Sequence, residues 1–225
     1  MDLVARTLYS SLVCSIRAYQ FLFHNLRVWG RENIPQGAKI YVTNHITTHD
    51  SFWVLPVFTE PVHIVIGPGY DSPFIARILD SFEQINASPD HRKTVVANAV
   101  KYLKKGEAVY LAPEGDMQGP FQLGRFYPGV ARMYRETRVP IVPIAVVAPK
   151  SCMHEFSRLQ TVVDGRVYRT VTVLRGTFCI NVGRPMMPAI PDAAPQEQDE
   201  CILDALKRRM ESLVEDVRVN KFWLS

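Results

Sequence analysis

The segment Asn44-His45-Ile46-Thr47-Thr48-His49-Asp50 sets an imidazole and a carboxylate five positions apart. A turn that folds them together lets the carboxylate hold one ring nitrogen and fix the tautomer. The other nitrogen is then free to take a proton from a hydroxyl. The same residues also read as a helix start, with Asp50 or Ser51 as the cap, so the pair alone does not decide between chemistry and structure. A second constellation lies downstream. The buried-type run Ala108-Val109-Tyr110-Leu111-Ala112 leads into Pro113-Glu114-Gly115, a turn that carries a carboxylate and a glycine. Beyond it, Phe126-Tyr127-Pro128-Gly129 opens a helix, and Val139-Pro140-Ile141-Val142-Pro143-Ile144 is an apolar strand bracketed by prolines.

Residue patterning predicts the elements that must position these groups. Short apolar runs bounded by turn residues predict strands over 26–29, 39–43, 62–66, 108–112, 141–147 and 177–182. Helical spacing predicts helices over 51–58, 73–80, 93–104, 130–138 and 198–217. Strands alternating with helices argue for one α/β domain, with a mostly parallel or mixed sheet covered by helices. The strand over 39–43 delivers Asn44 and His45 to its carboxyl end, where open α/β sheets place their ligands.

Over residues 3–26 the apolar positions Leu3, Val4, Leu8, Leu12, Ile16, Tyr19, Leu22 and Phe23 recur at helical spacing, with Arg6 and Arg17 elsewhere on the cylinder. Packing of this helix on the domain core and a place in a membrane interface fit the pattern equally. We therefore divide the chain into an amphipathic helix over 1–27 and a catalytic domain over 28–225. Arg6, Arg17 and Gln20 interrupt the apolar run, and Asp2 stands where a leader would be basic, so neither a secretory leader nor a spanning helix is expected. The expected location is cytoplasmic.

The 225 residues, 47% of them hydrophobic, are enough for a sizeable core, and the formal charge of +4 is scattered, unlike that of a nucleic-acid binder. Cys14, Cys152, Cys179 and Cys201 are far apart and suggest neither a zinc knuckle nor a disulfide framework. His49 follows His45 at a metal-pair spacing but has no supporting ligand nearby in sequence. His63 reads as a packed histidine, the Phe52, Trp53 and Phe58 group as core, and the Lys101, Lys104, Lys105 and Arg132, Arg135, Arg138 sets as solvated helix faces. Phe222, Trp223 and Leu224 read as a fraying end or a lipid contact.

These features, in this order, resemble the lysophospholipid and glycerol-phosphate acyltransferase family. Its His-x4-Asp signature matches His45 and Asp50, and its Pro-Glu-Gly block matches Pro113 to Gly115. Phe126, Gly129 and the Val-Pro-Ile-Val-Pro strand align without a gap, and Gly30-Arg31-Glu32-Asn33-Ile34-Pro35 is similar to the family's lead-in, so the resemblance covers roughly residues 28–185. It implies His45 as general base, Asp50 as its orienting partner, and Glu114 with Gly115 in the acceptor site. It also implies transfer from acyl-CoA or acyl carrier protein as co-substrate to a lipid acceptor at a membrane surface, with no metal and no organic cofactor. The rivals are a lipid-binding protein without turnover and a thioester hydrolase.

The chain departs from the family where an acceptor phosphate would sit. Glu-Gly is usually followed by Thr-Arg, but Asp116 and Met117 stand here. The other expected arginine, near residues 85–87, is replaced by Ile85-Asn86-Ala87. Arginine grips phosphate through two charge-assisted hydrogen bonds, so its loss argues for an unphosphorylated acceptor unless Arg92, Lys93 or Arg125 approaches from another direction.

Overall fold

The computed structural model describes residues 3–163 and 166–221. The chain opens with α1 (Leu3–Phe23), β1 (His24–Trp29) and β2 (Lys39–Thr43), then α2 (Asp50–Val54), β3 (Val62–Ile66), α3 (Pro73–Ser81), β4 (Ile85–Asn86) and α4 (Val95–Lys104). It continues through β5 (Ala108–Leu111), α5 (Gly129–Thr137), β6 (Ile141–Val147), β7 (Met153–Val163), β8 (Arg166–Val173), β9 (Gly176–Val182) and α6 (Pro195–Asp216). Seven strands form one sheet in the order β1-β9-β6-β2-β5-β3-β4. Strands β6, β2, β5, β3 and β4 run parallel, while β9 is antiparallel to β6 and carries β1 parallel beside it. The mixed α/β sheet expected from the sequence is present.

Strand β2 is buried along its whole length because it sits between β6 and β5. Its side chains alternate between two apolar layers. Tyr41 joins Tyr110, Val54, Tyr9 and Ile16, the layer covered by α1 and α2. Ile40 and Val42 join Ala99, Leu103, Val130, Ile202 and Leu206, the layer covered by α4, α5 and α6. Each such fully buried aliphatic side chain contributes about 1.5–3 kcal/mol, so β2 is held from both faces. At its amino end the buried Lys39 Nζ pairs with Glu60 at 2.7 Å, and Tyr41 Oη donates to the same carboxylate oxygen at 2.8 Å.

Several boundaries differ from the sequence pattern for local reasons. Helix α1 stops at Phe23, because His24 already pairs with Gly176 at the start of the β1–β9 ladder. α2 gives way after Val54 to a 3-10 turn, Leu55–Val57, where Pro56 has no amide to continue an α-helix. α4 begins at Val95 after a 3-10 segment, Pro89–Thr94. Two features have no counterpart in the predicted elements: the two-residue edge strand β4 and the antiparallel hairpin β7–β8, which stands outside the main sheet.

One face of α1 packs on the core through Ala5, Tyr9 and Ile16, while Val4, Leu8, Phe21, Leu22 and Phe23 stay exposed. Among the described residues no helix is long and apolar enough to cross a membrane. Residues Phe222, Trp223 and Leu224 lie outside the described residues.

Candidate active site

Because β2 and β5 are hydrogen-bonded parallel neighbours, with Val42 opposite Leu111, the turns that leave their carboxyl ends emerge side by side. That register brings the His45 segment and the Pro113-Glu114-Gly115 turn together. The end of β2 is pinned by two further contacts. The Asn44 side-chain amide donates to Val146 O at 2.8 Å and accepts from Val146 N–H at 2.8 Å, tying β2 to β6, and Thr43 Oγ1 meets Tyr110 Oη at 2.7 Å.

His45 Nδ1–H donates to Asp50 Oδ2 at 3.0 Å. The same oxygen accepts the backbone N–H of Ile46 at 2.7 Å and of Thr47 at 2.9 Å, and Asp50 Oδ1 accepts Thr47 Oγ1–H at 2.7 Å. Asp50 is therefore both the first residue of α2 and the acceptor around which the loop turns. Its side chain is 2% exposed, against 27% for His45. The ring nitrogen away from Asp50 has no hydrogen-bond partner among the described residues. Burial acts to lower the His45 pKa, but the hydrogen bond from Asp50 and the charges of Asp50, Glu114 and Asp116 outweigh it, so the imidazole titrates above an ordinary histidine.

Glu114 is buried, and each of its oxygens accepts a backbone amide, Oε2 that of His45 and Oε1 that of Gly124, both at 2.8 Å. Burial raises its pKa, with the two amides acting in the opposite direction. Gly115 has φ +65°, the left-handed region that glycine tolerates, and an added Cβ would meet the Tyr127 ring at 3.2 Å. Backbone amides from His45 to His49 are all engaged, with Glu114, Asp50, Val171 O and Thr47 Oγ1. None of these five amides is free to donate to a bound group. The Gly115 amide, held among the described residues only by a long 3.5 Å contact to Ala112 O, is positioned in the neighbouring turn.

The two candidate cations part company. Arg125 is exposed and directly follows Gly124, so it stays beside the Glu114 staple. Arg92 is exposed beyond β4, which lies three places from β2, about 14 Å at ordinary strand spacing. His63 is the packed histidine expected, with Nδ1 toward Glu83 O at 2.8 Å, Nε2 toward Glu107 at 3.0 Å, and Tyr102 stacked at 3.6 Å. Phe58 is buried on Tyr41 and Trp53 stacks on Tyr19, leaving Phe52 as the partly exposed aromatic of its group. Arg132 is solvated as expected and Arg135 is partly covered, and both pair with the buried Asp199 of α6, at 3.3 and 2.7 Å.

Three residues that sequence reasoning did not single out complete the loop. Thr47 Oγ1–H donates to Asp50 Oδ1, and its place three residues before that carboxylate is a local side-chain pattern. Gly124 closes on Glu114 and Thr48 closes on β8, but these partners are 10 and 123 residues away, and nothing local announces them.

A family model described as Acyltransferase matches residues 25–147, more than half of the chain. The chloroplastic 1-acyl-sn-glycerol-3-phosphate acyltransferase of Arabidopsis thaliana is 25% identical over 149 residues, 64% of this chain and 41% of that protein. A probable 1-acyl-sn-glycerol-3-phosphate acyltransferase of Mycoplasma pneumoniae is 24% identical over 137 residues, 57% of this chain and 52% of that protein. The matches thus span about two-fifths to half of these relatives' length. The crystal structure of the 1-acyl-sn-glycerophosphate acyltransferase PlsC from Thermotoga maritima shares the fold, with a TM-score of 0.71 at 18% identity over 96% of this chain and 82% of that one.

Proposed function

Because this chain belongs to the acyltransferase family, we propose that it is an O-acyltransferase moving a fatty acyl group from acyl-CoA or acyl carrier protein to the hydroxyl of a lysophospholipid or glycerolipid. Its place is phospholipid synthesis or remodelling on the inner face of a membrane. The observation that carries the reading is the 3.0 Å bond between His45 Nδ1 and Asp50, which orients the imidazole and leaves Nε2 open at the carboxyl end of β2. The names of the plant and mycoplasma relatives support the acceptor class.

In this reading His45 Nε2 removes the proton of the acceptor hydroxyl as its oxygen attacks the thioester carbonyl. The tetrahedral oxyanion collapses, the carbon–sulfur bond breaks, and the departing thiolate takes the proton back from His45. The thioester is already activated, so the protein supplies proximity, a base and oxyanion donors, with no covalent acyl-enzyme and no cofactor. Asp50 keeps the Nδ1–H tautomer and stabilises the imidazolium that forms.

A second reading, the same chemistry on an unphosphorylated hydroxyl, is favoured by one feature. Asp116 and Met117 follow Gly115, and Asp116 adds negative charge near His45. Labelled acyl thioesters supplied with phosphorylated and unphosphorylated lysolipids, with products identified by mass, separate the two. His45→Ala should remove transfer by at least about a thousandfold while the fold is kept. Near-native transfer by that variant would refute the mechanism. Free acid released at one rate with and without acceptor would mark a thioester hydrolase instead.

A further inference from the structure

The β7–β8 hairpin lies against the loop that carries His45. Thr48 N–H donates to Val171 O at 2.8 Å, and Val171 N–H donates back to Thr48 Oγ1 at 3.0 Å. The same hydroxyl lies 3.4 Å from Arg169 O and 3.6 Å from Met117 Sδ. The β8 backbone at Arg169 therefore stands beside Met117, in the turn that follows Glu114 and Gly115.

The charges that act on His45 are Asp50, Glu114 and Asp116, all acidic. A phosphorylated acceptor needs a cation to offset these charges, and β8, whose backbone contacts the His45 loop, carries Arg169. Arg169 is paired with Glu155, Nη1 to Oε1 at 2.9 Å, but the two side chains are 65% and 48% exposed, so water and a stronger acceptor compete for the guanidinium. Phosphate is such an acceptor, since the planar fork binds two of its oxygens at once. Toward the hairpin tip, Val162 and Val167 face each other in register and are exposed, an apolar surface of the kind a lipid chain would meet beside its headgroup.

Resting on the acyl-transfer reading, we infer that Arg169 is the specificity-determining residue of this acceptor site: it leaves Glu155 to bind the phosphate of a lysophospholipid from the hairpin that rests on the His45 loop. The hairpin places it and the paired Thr48–Val171 contacts hold the hairpin to the His45 loop.

Equilibrium binding to the full chain without acyl donor tests this, with oleoyl lysophosphatidate, monooleoylglycerol and inorganic phosphate as probes. Lysophosphatidate should bind most tightly. Arg169→Gln should weaken it by about 10- to 100-fold, the range for one charge-assisted contact, and change monooleoylglycerol by less than about twofold. Arg169→Lys should recover part of the loss, and Glu155→Gln should tighten lysophosphatidate. Inorganic phosphate should compete weakly, which marks a headgroup site; phosphate binding as tightly as the lysolipid would overturn that source. An affinity for lysophosphatidate that survives Arg169→Gln within about twofold, or one removed by Arg125→Gln instead, overturns the assignment. Arg169-dependent binding with no transfer to any acceptor would leave the site standing and remove the acyl-transfer reading; transfer to lysophosphatidate insensitive to Arg169 would do the reverse.

Discussion

Glu114 holds the backbone of His45: its Oε2 accepts the His45 N–H at 2.8 Å while Oε1 accepts that of Gly124 at the same distance. One buried carboxylate thereby fixes the start of the His45 loop to the turn after β5, and Asp50 fixes the other end of the loop and the ring itself. The two acids divide the task between backbone position and ring orientation.

Glu114→Gln tests this staple. A glutamine has one acceptor oxygen and turns its amide donor toward a second backbone N–H, leaving a buried donor unmatched at a cost of about 1–3 kcal/mol. The melting temperature should fall by about 2–10 °C, with transfer slowed as the His45 backbone loosens. An unchanged melting curve would show that the two amides find other partners.

The pH profile tests the ring. A general base works as neutral imidazole, and the acidic neighbours hold the His45 proton on to higher pH than the ordinary value near 6.5. The rate of transfer should therefore rise with pH through a limb lying above that value. Asp50→Asn removes the main group raising the pKa and leaves burial, which lowers it. The limb should move to lower pH while the maximum rate falls by about two to four orders of magnitude. The linkage to folding has the opposite sense: protonated His45 stabilises the native chain fully below the unfolded value and loses that contribution as pH rises through the raised folded value. A limb that stays in place in Asp50→Asn would mean that another group titrates.

Gly115→Ala tests the turn. At φ +65° an alanine is strained by about 1–2 kcal/mol, and its Cβ would press on the Tyr127 ring at 3.2 Å. Thermal melting should show a loss of a few degrees, and Tyr127→Ala in the same chain should relieve the contact while leaving the backbone strain. Equal stability of Gly115→Ala and the parent would mean the turn does not need glycine.

The mixed α/β sheet, the position of β2 and its delivery of His45 to a carboxyl end were legible because each rests on a local pattern, the buried runs 39–43 and 108–111 and their flanking turn residues. The pairing of His45 with Asp50 was legible for the same reason: the partners are five residues apart and a single turn joins them. Helix α1 was foreseen, but its end at Phe23 depends on β9, which is far along the chain. Arg132 and Arg138 lie on the solvated face read from the sequence, but the pairing of Arg132 and Arg135 with Asp199 was not legible, because Asp199 sits on α6 and has no local signature.

Sequence by itself determined that one turn can join His45 to Asp50 and that a strand end would present them, since side-chain type and alternation are properties of short segments. Tertiary structure alone decided that Glu114 grips the His45 amide, that Arg92 and Arg125 are set apart, and that Thr48 ties a hairpin to the loop at Val171. Those contacts join residues 69 and 123 positions apart. Strand order and register choose such partners, and neither is written in the spacing of neighbouring residues.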